Sequence, residues 1–281
     1  MAPDDQTAPA EGEPGDPTGP SVNRLHKDTW GSGGDDRLAM IHGFTQNAHC
    51  WAQFAARLAT GDREIIAVDL PGHGGSSGAR TDLWETADLV ADACGPAVYV
   101  GYSLGGRVLL HVALAHPEST RAMILIGATA GIEEPAARAD RRHSDEVLAK
   151  RLDACDGDPD AFATFIHDWL EGPLFAHLAE DEAQIPQRLE NDPVALASSL
   201  RLCGTGAQDP LWDRLAGISV PVLVLAGEYD ERFTAIGTRI SSSIGGNARF
   251  EIVKGSGHSC HLEQPHKTLE IVEEFLKEVS R

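Results

Sequence analysis

The stretch Ala97-Val98-Tyr99-Val100-Gly101-Tyr102-Ser103-Leu104-Gly105 decides how the rest of the chain is read. Ala97–Val100 is a short, continuous apolar run of the kind a strand buried on both faces shows, and Leu104–Ala115 carries a helical pattern. A serine between such a strand and such a helix sits on a sharp turn with a strained backbone. The residues two before and two after it must then be small to avoid clashing, and here they are Gly101 and Gly105. The turn lifts the Ser103 hydroxyl above the sheet, at a helix N-terminus whose dipole favours negative charge. G-x-S-x-G alone arises by chance in glycine-rich chains; the flanking strand and helix make it a nucleophile elbow.

Working outward, similar apolar runs occur at Leu38–Ile41, Glu64–Val68, Ala122–Ile126, Val220–Leu225 and Phe250–Val253. Helical patterns lie near Ala52–Ala59, Leu83–Ala93, Leu104–Ala115 and Thr268–Val279. This alternation predicts an α/β fold with a mostly parallel sheet covered by helices on both faces. From about 131 to 215 there is no comparable strand, only helical stretches such as Glu134–Leu152 and Asp160–Leu170. The sheet pattern resumes at Val220, so the interval reads as a helical cap inserted into one domain of residues 23–281 rather than as a second domain. Residues 1–22 hold five prolines, five acids and no Lys or Arg. Such a segment cannot bury enough apolar surface to offset its ordering entropy, and a disordered tail is expected.

A serine nucleophile or base needs an imidazole. Of 12 histidines, His258 lies on the loop Gly255-Ser256-Gly257-His258, directly after a strand and before the last helix, where a Ser–acid–His order places it. His261 and His266 are its competitors. The acid should follow the preceding strand, in Ala226-Gly227-Glu228-Tyr229-Asp230; Asp230 is the first choice to orient the imidazole and Glu228 the second. His42-Gly43-Phe44 ends the first clear strand, and the backbone N–H groups of Phe44 and Leu104 would form an oxyanion hole. His73, in the tight loop Asp69–Ser76, reads as structural.

The chain has 281 residues and a formal charge of −20, from 23 Lys plus Arg against 43 Asp plus Glu. A field of that sign repels polyphosphate backbones, so no nucleic-acid partner is expected. No apolar run approaches the ~20 residues of a membrane span, and the N-terminus lacks the basic and apolar regions of a signal peptide. Cys50, Cys94, Cys155, Cys203 and Cys260 are scattered, with no CxxC pair, which indicates neither disulfides nor a zinc knuckle. His258, Cys260 and His261 crowd three potential ligands into four residues, without workable metal geometry. The expectation is a cytoplasmic protein with reduced thiols, no membrane partner, and no metal or organic cofactor. Nothing in the chain bears on its oligomeric state.

With strand order, elbow, late acid and late histidine in place, residues from about 38 to 280 resemble the α/β-hydrolase superfamily. His42-Gly43-Phe44, Val68-Asp69-Leu70-Pro71-Gly72-His73-Gly74 and Gly101-Tyr102-Ser103-Leu104-Gly105-Gly106-Arg107-Val108 resemble in particular the 2-succinyl-6-hydroxy-2,4-cyclohexadiene-1-carboxylate (SHCHC) synthase family of menaquinone biosynthesis. That family eliminates pyruvate from the precursor SEPHCHC, using a serine triad for a lyase reaction. The cap carries similar features: Arg138-Ala139-Asp140-Arg141 followed by Ser144-Asp145, Asp168-Trp169 ahead of Pro173 and Phe175, and the later Arg188. The Pro-rich tail and Gly255-Ser256-Gly257-His258, in place of Ala-Gly-His, depart from the family pattern.

The resemblance implies that Arg107, Arg141 and Arg188 bind the carboxylates of a small polycarboxylate substrate, with Tyr102 and Trp169 shaping the pocket. Arg142 replaces Arg141 if the cap helix rotates. Charge points the same way, because a chain of this net charge repels a tricarboxylate unless it supplies local cations. Arg107 lies one helical turn beyond Ser103 on the same face. The alternative activity is a carboxylesterase or lactonase working through an acyl-enzyme; a binding module that kept the fold is a third reading, against which the intact Ser, His and Asp argue.

Overall fold

The computed structural model describes residues 24–279 except 32, 33, 35 and 60; the tail expected over residues 1–22 lies outside them. In chain order the elements are β1 (Lys27–Trp30), β2 (Arg37–Ile41), α1 (Ala52–Leu58), β3 (Glu64–Val68), α2 (Leu83–Cys94), β4 (Ala97–Tyr102), α3 (Leu104–Ala115), β5 (Thr120–Ile126), α4 (Pro135–Asp153), α5 (Pro159–Leu170), α6 (Ile185–Arg188), α7 (Pro193–Cys203), β6 (Val222–Gly227), α8 (Glu231–Ile244), β7 (Ala248–Val253), α9 (Cys260–Glu263) and α10 (Pro265–Val279). The seven strands form one sheet in the order β1-β3-β2-β4-β5-β6-β7. All neighbours run parallel except β1, which pairs antiparallel with β3.

The continuous apolar runs have a simple cause. Along β2, Ala39 and Ile41 face one core, with Val68, Met123, Leu125 and Val224. Leu38 and Met40 face the other, with Ile65, Val100, Ile124 and Leu225. Successive side chains point to opposite faces, and helices cover both, so every position is apolar. Each fully buried Leu or Ile contributes ~1.5–3 kcal/mol. The one strand absent from the sequence reading, β1, has the residues Lys-Asp-Thr-Trp and alternates exposed with half-buried positions. It is a four-residue edge strand that owes its place to pairing with β3 rather than to burial.

The chain crosses from β3 back over β2 to β4, so the direction of winding reverses between β2 and β4. In open α/β sheets the crevice beyond the C-terminal strand ends at such a reversal is where ligands bind. The loop after β2 and the elbow after β4 both open there. Between β5 and β6 the described residues contain helices and turns and no strand. Three of these helices start with an acid–proline pair: Glu134-Pro135, Asp158-Pro159 and Asp192-Pro193. In each, the carboxylate accepts first-turn N–H bonds while proline occupies a position whose N–H would have no partner. The segment has its own small core of Leu152, Phe162, Phe165, Ile166, Leu196 and Leu200, against which Phe44 and Trp169 pack.

Four histidines besides His258 are buried: His42, His73, His111 and His261. The His42 Nε2 accepts the Leu70 N–H at 3.0 Å, so its Nδ1 carries the proton and donates to the Gly43 carbonyl at 2.9 Å. His73 packs edge-on against His42 and Phe44, in the structural place expected for it. Burial pushes His42 and His111 down to about 4, and His73 and His261 to about 3. Among the described residues no helix is long and apolar enough to cross a membrane, and all five cysteines are free and buried.

Two outcomes are expected. A Cβ on Gly105 would lie 2.1 Å from the Ile41 carbonyl oxygen. Gly105→Ala should therefore lower stability by about 3 kcal/mol, measured by urea unfolding. Because the four histidines are neutral when folded and ordinary when unfolded, the unfolded chain binds more protons as pH falls below about 6.5. Stability lost from that pH down towards 3–4 should be partly restored by His261→Phe, which keeps the ring packing and removes one titration; a melting-temperature profile between pH 4 and 8 reads it.

Candidate active site

Ser103 sits at the elbow with φ 51° and ψ −105°, a left-handed conformation for a residue with a side chain. It is held there by its N–H donating to the Ile126 carbonyl at 2.8 Å and its carbonyl accepting from Arg107 N at 3.1 Å. The small residues around it are required by contact. A Cβ on Gly101 would approach the Gly105 carbonyl carbon and Leu109 to 2.7 Å, and β2 closes off Gly105.

The His258 Nε2 lies 3.4 Å from Ser103 Oγ, and its Nδ1 lies 2.8 Å from Asp230 Oδ2. Asp230 also caps α8, accepting the Phe233 N–H at 3.1 Å with its other oxygen. One carboxylate thus fixes both helix and imidazole, and it selects the tautomer that leaves Nε2 free to take the serine proton. Glu228, the second choice, is turned to the surface, where it pairs with Lys254 at 3.0 Å and accepts the Gly255 N–H. His261 is buried against Trp51 and Tyr102, and His266 opens α10. The His258 ring lies over Gly127, where a Cβ would stand 2.8 Å from its Cε1, and packs on Phe233.

The histidine loop has a further anchor that the sequence reading missed. The buried Glu263 carboxylate accepts the backbone N–H groups of Gly257 and Ser259, the two residues flanking His258. The spacing His258-x-x-x-x-Glu263, with a helix start between, was its signal. Opposite, no hydrogen bond consumes the Phe44 or Leu104 N–H among the described residues. Both residues line the cavity that contains Ser103.

Ser103 and His258 line a cavity of about 100 Å³ together with Phe44, Leu104, Arg107, Arg141 and Trp169, and with Thr129, Arg232 and Phe233. Trp169 lies edge-on to Phe44 and Phe175, and its buried indole N–H has no partner. Arg107 is buried, and burial lowers its guanidinium to about 10. Arg141 is held by its Nε donating to Asp145 at 2.7 Å, whereas Arg142 turns away to the Gly206 carbonyl.

Two expected pocket residues are not on this cavity wall. Tyr102 lies beneath the histidine loop, its hydroxyl 2.7 Å from Ser259 Oγ and its ring against His258; as a strand residue preceding the elbow it points the other way from Ser103. Arg188 runs to the loop after β2, its Nε donating to the Ala183 carbonyl at 2.7 Å and a terminal nitrogen to the Thr45 hydroxyl. With Asn191, which donates to the Thr45 carbonyl at 2.9 Å, it braces the turn next to Phe44, where Thr45 has φ 67°. Its remaining terminal nitrogen is buried without a partner. The third cation on the cavity wall is instead Arg232, exposed in the first turn of α8; its position two residues after Asp230 was the available signal. No group of three or more potential metal ligands occurs among the described residues.

The model of the alpha/beta hydrolase family matches residues 38–271. A Bacillus subtilis protein named as a candidate 2-succinyl-6-hydroxy-2,4-cyclohexadiene-1-carboxylate synthase is 34% identical, across 89% of this chain and 93% of its own length. The synthase of that name from Salmonella arizonae is 28% identical across 88% and 96% of the two chains. The solved structure of MenH from S. aureus superposes with a TM-score of 0.81 at 30% identity, covering 91% of this chain and 99% of that one. With its seven-stranded sheet, serine elbow and late histidine, the chain belongs to the alpha/beta hydrolase family and, within it, to the SHCHC synthases.

Proposed function

We propose that this protein converts SEPHCHC to SHCHC by eliminating pyruvate, with Ser103, His258 and Asp230 acting as a base system. The observation that carries this reading is that two guanidinium groups, Arg107 and Arg141, line the same small cavity as Ser103 and His258. A hydrolase of simple esters has no use for a buried Arg107 and a half-buried Arg141 beside its serine. A substrate with several carboxylates does, since the chain as a whole carries −20 and would otherwise repel it.

His258 Nε2 takes the Ser103 proton while Asp230 steadies the imidazolium that forms. The serine oxygen then removes the ring proton beside the succinyl ketone. The electron pair moves into the ring, the ring double bond shifts, and the ether oxygen leaves as the enolate of pyruvate, which is protonated to pyruvate. Charge developing on the ketone oxygen is met by the Phe44 and Leu104 N–H groups. No bond from serine to carbon is needed. The 3.4 Å separation of Ser103 Oγ from His258 Nε2 is the kind of distance that tightens once substrate is bound. Arginine contacts to the carboxylates set which C–H meets the serine oxygen, and such positioning is worth several kcal/mol of barrier. Arg188 acts in this scheme on the oxyanion turn through Thr45, and Tyr102 on the histidine loop through Ser259.

The cavity of about 100 Å³ is well below the ~300–1,000 Å³ of small-molecule pockets. In this reading α4–α7 act as the cap over the cavity. The test follows pyruvate release and the ultraviolet absorbance of the diene from freshly made SEPHCHC. Wild-type protein should turn it over without a burst. Ser103→Ala should lower kcat by about 10³-fold or more with unchanged unfolding behaviour. Negligible turnover by the wild type, with a burst of p-nitrophenol from simple esters, would assign the acyl-enzyme chemistry of a carboxylesterase or lactonase instead.

A further inference from the structure

Arg107 and Arg188 are the two buried arginines among the described residues, and of these only Arg107 lines the cavity beside Ser103. Its guanidinium makes no ion pair among the described residues, and its one side-chain hydrogen bond runs from a terminal nitrogen to Gln208 Oε1 at 3.3 Å. Both side chains are buried. Arginine only donates, so the amide must present its oxygen, and this leaves the Gln208 nitrogen buried without a partner. The arrangement is costly. A buried guanidinium is ordinarily paired with a carboxylate, and an unbonded amide N–H adds its own desolvation cost. A glutamate at 208 would have nearly the same shape, would give Arg107 a charge-assisted bond, and would remove the orphaned donor.

The neighbouring arginine shows the contrast. Arg141 does have a carboxylate partner, but Asp145 touches only its Nε and is itself fixed by accepting the Gly206 N–H at 3.1 Å. The terminal nitrogens of Arg141 make no hydrogen bond among the described residues. Burial lowers the Arg107 guanidinium, and the nearby Arg141 charge pushes in the same direction. Of the two arginines Asp145 contacts Arg141 alone, so the guanidinium of Arg107 stands beside Ser103 without a carboxylate partner among the described residues.

We propose that Gln208 is a specificity-determining residue: as a neutral anchor it fixes Arg107 without neutralising it, so that the guanidinium charge is reserved for a carboxylate of the ligand. This rests on the proposed function only in assigning an anionic ligand to the cavity. Gln208 reaches Arg107 from the turn after α7, where its own N–H donates to the Gly204 carbonyl at 3.2 Å, so the anchor and Arg141 are both supplied by the helical insertion. Carboxylate selectivity is consequently shared between α3, which carries Arg107, and the insertion, which supplies its neutral anchor and Arg141.

The test compares Gln208→Glu, which adds charge with little change of shape, with Gln208→Met, which removes the hydrogen bond and stays neutral. Both are checked for folding by their circular dichroism and unfolding profiles; Gln208→Asp carries the charge arm should the Glu variant not fold. Binding of succinate, with neutral succinamide as the control, is followed by Trp169 fluorescence, and KM and kcat are measured on SEPHCHC. The expected result is succinate affinity lowered on the order of tenfold or more in the acidic variant and within about threefold of wild type in Met, with succinamide unaffected. KM for SEPHCHC should rise in step, with kcat changed less. Equal losses in the Glu and Met variants would assign Gln208 a packing role, and wild-type affinity in Glu would remove any electrostatic role; either overturns the proposal, as does a wild type that does not distinguish succinate from succinamide. Failure of the wild type to turn over SEPHCHC counts against the proposed reaction alone, since the succinate comparison is independent of it.

Discussion

The left-handed backbone of Ser103 is the constraint from which the geometry of the site follows. With φ 51° the chain leaves β4 and enters α3 within one residue, and that is possible only if α3 can lie almost in contact with the sheet. Gly105 is pressed against the end of β2 and Gly106 against Ala128, so neither position has room for a side chain. This close approach brings the first turn of α3, with its unbonded Leu104 N–H, beside the loop that carries Phe44. It also sets Arg107, one turn on, at the wall of the same cavity. Strain at one residue is thus held by packing on three sides, as is usual where a backbone outlier serves chemistry.

Around this elbow, the polar groups form two bracing systems, one on each side of the serine. On one side the histidine loop is held by Asp230 on the ring, by Glu263 on the flanking backbone, and by the Tyr102–Ser259 hydroxyl pair. On the other, the loop that carries Phe44 is held by His42 and by its own Gln46, and from the insertion by Arg188 and Asn191. The buried Asp69 joins the loops behind it, accepting the N–H groups of Ala48 and Gly75 at 2.7 Å. The site is therefore rigid where the serine, histidine and N–H donors are concerned. The arginines that face the cavity are less tied, with terminal nitrogens left for a ligand.

Much of this was legible in the residues, for reasons that differ from element to element. The parallel strands were readable because burial on both faces removes polar residues, and the elbow because its glycines have no substitute. Asp230 and His258 were readable from their loops after β6 and β7. β1 was not, since an edge strand of Lys, Asp, Thr and Trp has no apolar signature. Arg188 was visible in the sequence as a cap arginine, but it turns to the Ala183 carbonyl and Thr45 hydroxyl, because the direction of a long side chain depends on which acceptor lies within reach; Arg232 on the cavity wall was not singled out. Tyr102 was placed beside the serine in sequence, but adjacent strand residues face opposite sides of a sheet.

The sequence by itself determined the α/β architecture, the position of the serine between strand and helix, and the acid and imidazole that follow, because each depends on local patterns of burial and turn chemistry. Only the tertiary structure decided that Arg188 braces the turn next to Phe44, that Arg232 lines the cavity, and that Arg107 meets a glutamine rather than a carboxylate. These are contacts between residues about 100 or more positions apart, such as Arg107 with Gln208 and Thr45 with Arg188. Their pairing depends on how a helical insertion docks on a sheet, and no local pattern encodes that.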